Sequence, residues 1–113
     1  MNVALETRNI YDDFSIQQDI LYFRVGDHGL VSFHGRNFNV KKRLSTDQMN
    51  QYMADSSFFK ANTDCYVNLG KVESIQDGKV CFDLHDSNSK HVALTKLRES
   101  RLRELLTEAK SNS

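Results

Sequence analysis

The most constraining feature of the chain is the stretch 58–75, in which apolar runs alternate with short polar connections. It opens with the aromatic pair Phe58-Phe59, passes through polar residues into the apolar run Cys65–Val67, and continues past Gly70 to Ile75. Runs of β-favouring residues bounded by turn formers predict strand, exposed loop, strand, turn and strand. Loops on a rigid scaffold commonly carry binding residues, so the loop between the first two strands is a candidate site.

The flanking sequence repeats this pattern of short strands separated by turn residues. The strongest strand, Ile20–Val25, ends at the turn Gly26–Gly29, where we expect the two glycines to supply the unusual backbone angles and His28 to occupy the tip. Asp77-Gly78 predicts a hairpin, because Asp-Gly favours the turns that join antiparallel strands. Further strands are predicted within residues 3–16, 30–34, 38–44 (an edge strand with a basic outer face), 80–85 and 90–94.

Two helices complete the predicted fold. Ser45 and Gln48 fit a capping box ahead of a short amphipathic helix over Thr46–Ala54. Thr95 can cap a terminal helix. The apolar stripe predicted for that helix consists of Leu97, Leu102, Leu105, Leu106 and Ala109. The fold class expected is therefore mostly β, with elongated antiparallel sheets and hairpins, one short internal helix and a C-terminal helix. Residues 1–113 are expected to form a single domain with a core over about 3–106 and a polar tail at 107–113.

Charge is balanced over the whole chain but not along it. There are 15 basic and 15 acidic residues, for a net charge of zero. Residues 36–43 nevertheless carry four basic side chains and no acidic one, and residues 90–113 carry six basic against three acidic. The two basic blocks can form a nucleic-acid-binding surface if the fold brings them together, and otherwise they are ordinary solvated faces.

Several function classes are disfavoured by the sequence. No apolar run approaches the roughly 20 residues of a membrane span, and the N-terminus lacks a signal-peptide layout, so a cytoplasmic location is expected. Cys65 and Cys81 lack zinc-site spacing and are expected to be reduced strand residues, with a redox-sensing pair as the alternative. Carboxylates are scattered, and no phosphate-binding glycine loop or serine elbow is present. A Cys65 nucleophile with a His28 base is the only catalytic alternative, and we predict a binding module that is not an enzyme and needs no cofactor.

Seven segments, taken in order, form a recognisable set. They are Ile20–Phe23, the His28 turn, the helix within 44–53, Phe58–Lys60, Tyr66–Leu69, Val72–Ile75 and Val92–Lys96. This set resembles the LytTR family, the DNA-binding domain of many bacterial response regulators in two-component systems. The resemblance covers about residues 3–106 and implies an antiparallel β domain that binds double-stranded DNA through loops entering successive major grooves, often at promoter repeats. On this resemblance the protein is expected to be a sequence-specific transcription regulator.

The same resemblance implies three base-contacting regions. His28 occupies the first loop, Asn62 and Thr63 occupy the second, and Lys96 the third. The second loop departs from the family's usual His-Arg or His-Asn, and Lys96 stands where an arginine is usual, which removes the planar guanidinium fork. Candidates for phosphate contacts, which fix register without specifying sequence, are Lys41, Lys42, Arg43, Lys60, Arg98 and Arg101.

The sequence does not select among partners other than DNA. The resemblance is compatible with a homodimer on DNA and with a receiver domain or a membrane regulatory partner, and no small-molecule substrate is expected. The alternative function is a β-rich protein-interaction or regulatory domain without DNA binding. The zero net charge and the acidic Asp64 beside the second loop favour that alternative.

Overall fold

The computed structural model describes residues 15–83 and 90–111, which form two antiparallel sheets and three α-helices. The larger sheet has the spatial order β3-β2-β1-β5-β4, and the smaller has the order β6-β7-β8. The strands are β1 (Ile20–Val25), β2 (Leu30–Gly35), β3 (Asn39–Arg43), β4 (Phe58–Lys60), β5 (Cys65–Asn68), β6 (Ser74–Gln76), β7 (Lys79–Cys81) and β8 (His91–Ala93). The helices are α1 (Ile16–Asp19), α2 (Thr46–Met53) and α3 (Lys96–Ser111).

The predicted fold class is confirmed, because the described residues are mostly β and carry the two predicted helices, α2 and the C-terminal α3, besides the four-residue α1. The strands predicted within 3–16 lie outside the described residues, except at Ser15 and Ile16. There a helical turn begins instead, because the Ser15 hydroxyl accepts a hydrogen bond from the backbone N–H of Gln18. The strand predicted over 80–85 is shorter than expected, ending at Cys81, and residues 84–89 are not described.

In the hairpin between β1 and β2, only one of the two unusual backbone angles lies at a residue predicted to have it. Gly29 has a φ of 78°, but the second left-handed residue is His28, with φ 58° and ψ 33°, whereas Gly26 is extended. A guanidinium nitrogen of Arg43 donates to the His28 carbonyl at 2.8 Å, which holds this conformation. At Gly29 a Cβ would lie 2.6 Å from the Leu44 carbonyl oxygen, so glycine is required there.

One face of the larger sheet packs against α2. Period-two alternation sends Phe23 to this face, where its ring centroid lies 5.0 Å from those of both Phe58 and Tyr66. The predicted capping box is confirmed: the Gln48 N–H donates to the Ser45 hydroxyl at 3.2 Å, and the Ser45 N–H donates to the Gln48 side chain at 3.0 Å. The buried residues of this core are Ile20, Phe23, Val31, Phe33 and Phe58.

The opposite face packs against the smaller sheet and α3. Its core joins Tyr22 and Val67 of the larger sheet to Val80, Val92 and Leu102. The apolar stripe predicted for α3 is confirmed at Leu102, Leu105 and Leu106, which contact this core. It is wrong at Leu97, which is 82% exposed. The reason is helical phase, since five residues at about 100° each place Leu97 about 140° from Leu102 around the helix.

Between the sheets lies a polar cluster centred on His34. Its ring stacks on Tyr22 with 4.5 Å between centroids, its Nδ1 lies 2.8 Å from Asn39 Oδ1, and its Nε2 lies 2.9 Å from Ser32 Oγ. Lys90, which precedes β8, donates from Nζ to the Gly35 carbonyl at 2.6 Å and to Asn39 Oδ1 at 2.6 Å. The cluster therefore ties the smaller sheet to the β2–β3 turn.

The His34 cluster predicts that the protein loses stability in mild acid. Burial lowers the pKa of His34 below its ordinary 6.5; the Asn39 hydrogen bond opposes that shift, and the charges of Lys90, Arg24 and Lys41 add to it. Below pH 6.5 the unfolded chain therefore takes up a proton before the folded one does, so the free energy of unfolding falls as the pH falls. Urea denaturation at pH 7.5 and pH 5 should show this loss in the wild type and a smaller one in His34→Gln. Equal losses in the two proteins would contradict the assignment to His34.

Candidate nucleic-acid interface

The turn and the loop that carry the first two predicted base-contacting regions lie at one end of the larger sheet. Antiparallel pairing sets Val25 opposite Val31, and Arg24 opposite Cys65. The turn at residues 26–29 and the loop at residues 61–64 therefore emerge from the same end of adjacent strands. The last residues of β3 and β4, Arg43 and Lys60, also lie there, since they pair with the neighbours of those connections. We call this the loop end of the sheet.

Backbone hydrogen bonds join the three predicted contact regions at the loop end. The Val25 N–H donates to the Asp64 carbonyl at 2.8 Å, which fixes the 61–64 loop beside the His28 turn. The Thr95 N–H donates to the Ala61 carbonyl at 3.4 Å, which brings the start of α3 to the same loop. The regions around residues 28, 62 and 96 are thus neighbours although they are distant in sequence.

The predicted base-contacting residues at the loop end differ in their exposure and in their hydrogen bonds. His28, Thr63 and Lys96 are exposed. Asn62 is half-buried and bonded within the protein, since its Nδ2 donates to the Ala93 carbonyl at 2.9 Å and its Oδ1 accepts from the Asp64 N–H at 3.2 Å. A side-chain amide has two N–H donors and two acceptor lone pairs, so Asn62 retains one of each beyond these bonds. Its clearest structural contribution is to shape the loop.

The start of α3 is fixed by the cap predicted for it. The Thr95 hydroxyl accepts from the Arg98 N–H at 3.3 Å, which confirms the predicted cap and leaves Lys96 as the exposed first residue of the helix. The Arg98 guanidinium lies 5.9 Å from the centroid of the Phe59 ring, a cation–π distance. Desolvation raises the pKa of the nearby Tyr66, and the charge of Arg98 opposes that shift.

The predicted phosphate contacts gather only in part at this end. Arg43 and Lys60 are exposed there, as is Arg98. Lys41 is exposed on the same sheet face as Arg43, two residues further from the loop end, whereas Lys42 points to the other face and is half-buried. Arg101 lies further along α3.

Arg101 forms an ion pair with Glu104 at 2.9 Å, and both side chains are more than half exposed. Exposed pairs of this kind contribute little stability, about 0–1 kcal/mol. The pair therefore does not prevent Arg101 from exchanging its carboxylate partner for a phosphate.

Arg24 is a cation of this end that the sequence interpretation missed. It lies on β1, two residues before the turn, and alternation could have indicated that it shares a face with Tyr22, over whose ring it lies at 5.6 Å. It also pairs with Asp64 at 3.5 Å, with the two side chains 40% and 51% exposed. The charge of Asp64 is thus opposed by a neighbouring cation, which reduces its repulsion of an approaching phosphate.

The geometry offers no support for a cysteine nucleophile. Cys65 is buried, and burial raises the pKa of its thiol to about 12, so it remains protonated at neutral pH. Both Cys65 and Cys81 are free thiols. Within the described residues, no group of three or more His, Cys, Asp or Glu side chains is placed to hold a metal ion. Over the same ranges, no helix combines the length and the apolar character needed to cross a membrane.

Comparison with solved structures concerns the fold. The fold is similar to that of a LytTr DNA-binding domain from Bacillus cereus, with a TM-score of 0.55 and 16% sequence identity over 78% of this chain and 81% of that chain. No curated protein matches the sequence.

The sequence itself matches the family model of the LytTr DNA-binding domain over residues 15–107, and the chain belongs to this family. The resemblance inferred from the ordered segments is therefore confirmed. LytTr domains are DNA-binding regulatory domains and not enzymes, so the family supports duplex DNA as the partner and a regulatory role.

Proposed function

We propose that the chain is a sequence-specific transcriptional regulator whose loop end enters successive major grooves of duplex DNA. The observation that carries this proposal is the joining of the 26–29 turn, the 61–64 loop and the start of α3 by hydrogen bonds at one end of the sheet. Three exposed contact regions held beside one another can follow a duplex without rearrangement. The membership of the LytTr family supports DNA as the ligand.

Under this proposal the exposed tips read bases. The His28 ring can accept from or donate to base edges, the Thr63 hydroxyl can do either, and the Lys96 ammonium can donate to guanine O6 and N7. Asn62 holds the second loop in place and offers its remaining amide hydrogen and lone pair. The cations hold the phosphates and fix the register, as proposed for Lys41, Lys42, Arg43, Lys60, Arg98 and Arg101.

The proposal is tested by selecting bound sequences from random duplexes at moderate salt. We expect enrichment of a defined motif, arranged as a spaced repeat if two copies bind one duplex, and the mass of the complex gives the stoichiometry. Arg36→Ala is a matched control, because Arg36 is a basic residue distant from the loop end that pairs with Asp83 at 3.5 Å. It should select the same motif. Failure to enrich any sequence would refute the proposal.

His28→Ala and Lys96→Ala are each expected to weaken binding to the selected duplex by about 1–3 kcal/mol, the usual effect of removing a base contact. Both residues are exposed, so little folding free energy is at stake, apart from the strain of alanine at the left-handed angle of residue 28. Titration of labelled duplex measures the affinity, and thermal unfolding shows whether each variant is folded.

His91→Ala is the matched control for His28, since His91 is an exposed histidine on β8 outside the three contact regions. It should bind as the wild type does. Specific affinities unchanged within error in both His28→Ala and Lys96→Ala would remove these two contacts from the proposal.

A protein-interaction domain without DNA binding is the second candidate, and two observations favour it. The net charge of the chain is zero, and Asp27 and Asp64 are exposed at the loop end among its cations. This candidate predicts that the selection enriches no duplex. It also predicts that Lys96→Ala binds a protein partner, such as a receiver domain, as tightly as the wild type does.

A further inference from the structure

The least explained side chain at the loop end is Leu97. It is 82% exposed, against 36% for Leu30 and 37% for Phe38, the other large hydrophobic residues that are exposed in the described part of the chain. A leucine in an amphipathic helix is expected to join the apolar stripe, but the phase of α3 turns Leu97 away from Leu102. The exposure of Leu97 therefore follows from its position around the helix and does not result from a missing neighbour in the core.

The surroundings of Leu97 are polar and basic. It lies between Lys96 and Arg98 in the first turn of α3, and a shallow groove beside it is lined by Arg98, Ser100, Arg101 and Glu104. Helical side chains lean toward the N-terminus of their helix, which here is the end fixed to the 61–64 loop. Leu97 thus presents an apolar group next to the proposed base contact of Lys96.

We propose that Leu97 contacts the 5-methyl group of a thymine and thereby determines specificity at a base pair next to the one read by Lys96. This inference rests on the proposed function. The thymine methyl is the apolar group that base pairs display in the major groove, and an aliphatic side chain is its natural complement. The flanking cations attract the polyanion that carries it, whereas an apolar protein partner would find this surface largely charged.

The test uses the selected duplex with each thymine replaced in turn by deoxyuridine, which removes only the methyl group. At one position the wild type should prefer thymine by about fourfold, the factor expected for burying one methyl. Leu97→Ala should lose that preference while keeping the thermal unfolding midpoint of the wild type, because the side chain is exposed. Leu30→Ala, which alters the other exposed leucine of the loop end, should keep it.

The outcomes separate the inference from the function on which it rests. A wild type that selects a motif but shows no thymine preference at any position overturns the inference and leaves the proposed function standing. A thymine preference that persists in Leu97→Ala also overturns the inference and leaves the proposed function standing. This holds even if Leu97→Ala changes the oligomeric state. A wild type that selects no duplex overturns both.

Discussion

Phe23→Ala is expected to lower the free energy of unfolding by about 3–5 kcal/mol, the usual cost of deleting a buried aromatic ring. Phe23 is 1% exposed, and its ring lies within 6.2 Å, between centroids, of the rings of Phe33, Tyr52, Phe58 and Tyr66. It thereby joins β1 to β2, β4, β5 and α2. Small domains have about 5–15 kcal/mol of stability in total, so the variant should be only marginally folded. Urea denaturation measures the change.

Phe38→Ala is the matched control for Phe23→Ala. Phe38 is also a phenylalanine beside the larger sheet, but it is 37% exposed and therefore buries less apolar surface. We expect its replacement to cost less than half as much. Equal losses for the two variants would mean that the aromatic cluster under α2 is not the main source of stability.

Raising the salt concentration from 50 to 200 mM is expected to lower the affinity for the selected duplex on the order of 10³-fold. The estimate takes all six proposed phosphate contacts as formed, each contributing about 0.9 to the slope of log K against log salt. Fluorescence anisotropy across a salt series measures this slope. Because the chain has no net charge, a steep slope would show that the local gathering of cations at the loop end controls binding.

Single variants show which cations contribute to the salt dependence of binding. Lys60→Ala should reduce the slope by about 1, because Lys60 is exposed at the loop end and its proposed phosphate contact would be lost. Arg36→Ala should leave the slope unchanged. A flat salt dependence in the wild type would instead favour the protein-interaction alternative.

Local patterns in the sequence were sufficient for most of the strands and turns. The alternation that buries Phe23 on one face and Tyr22 on the other follows directly from the period of a strand. The predicted turn at Asp77-Gly78 is confirmed, with φ of 53° and 72° at its two residues. The capping box of α2 is likewise contained within four consecutive residues, so no distant contact was needed to predict it.

The features that the sequence did not predict depend on distant contacts. Nothing in the local sequence relates Lys90 to the Gly35 carbonyl, which it reaches only because the smaller sheet packs beside the β2–β3 turn. The left-handed angle at His28 is held by Arg43 from another strand, so the prediction that Gly26 has this angle is wrong. Leu97 is an exception, because the period of about 100° per residue alone places it about 140° from Leu102, and the predicted stripe does not respect that phase.

The hydrogen bond from the Asn62 amide to the Ala93 carbonyl has a consequence for operator geometry. It crosses from one sheet to the other and so sets the separation of the second and third contact regions before any ligand arrives. A protein with such a preset separation loses little conformational freedom on association. Such a protein also tolerates little change in the spacing of its target. We therefore expect that inserting a single base pair between the bases bound by the second and third contact regions prevents both regions from binding at once.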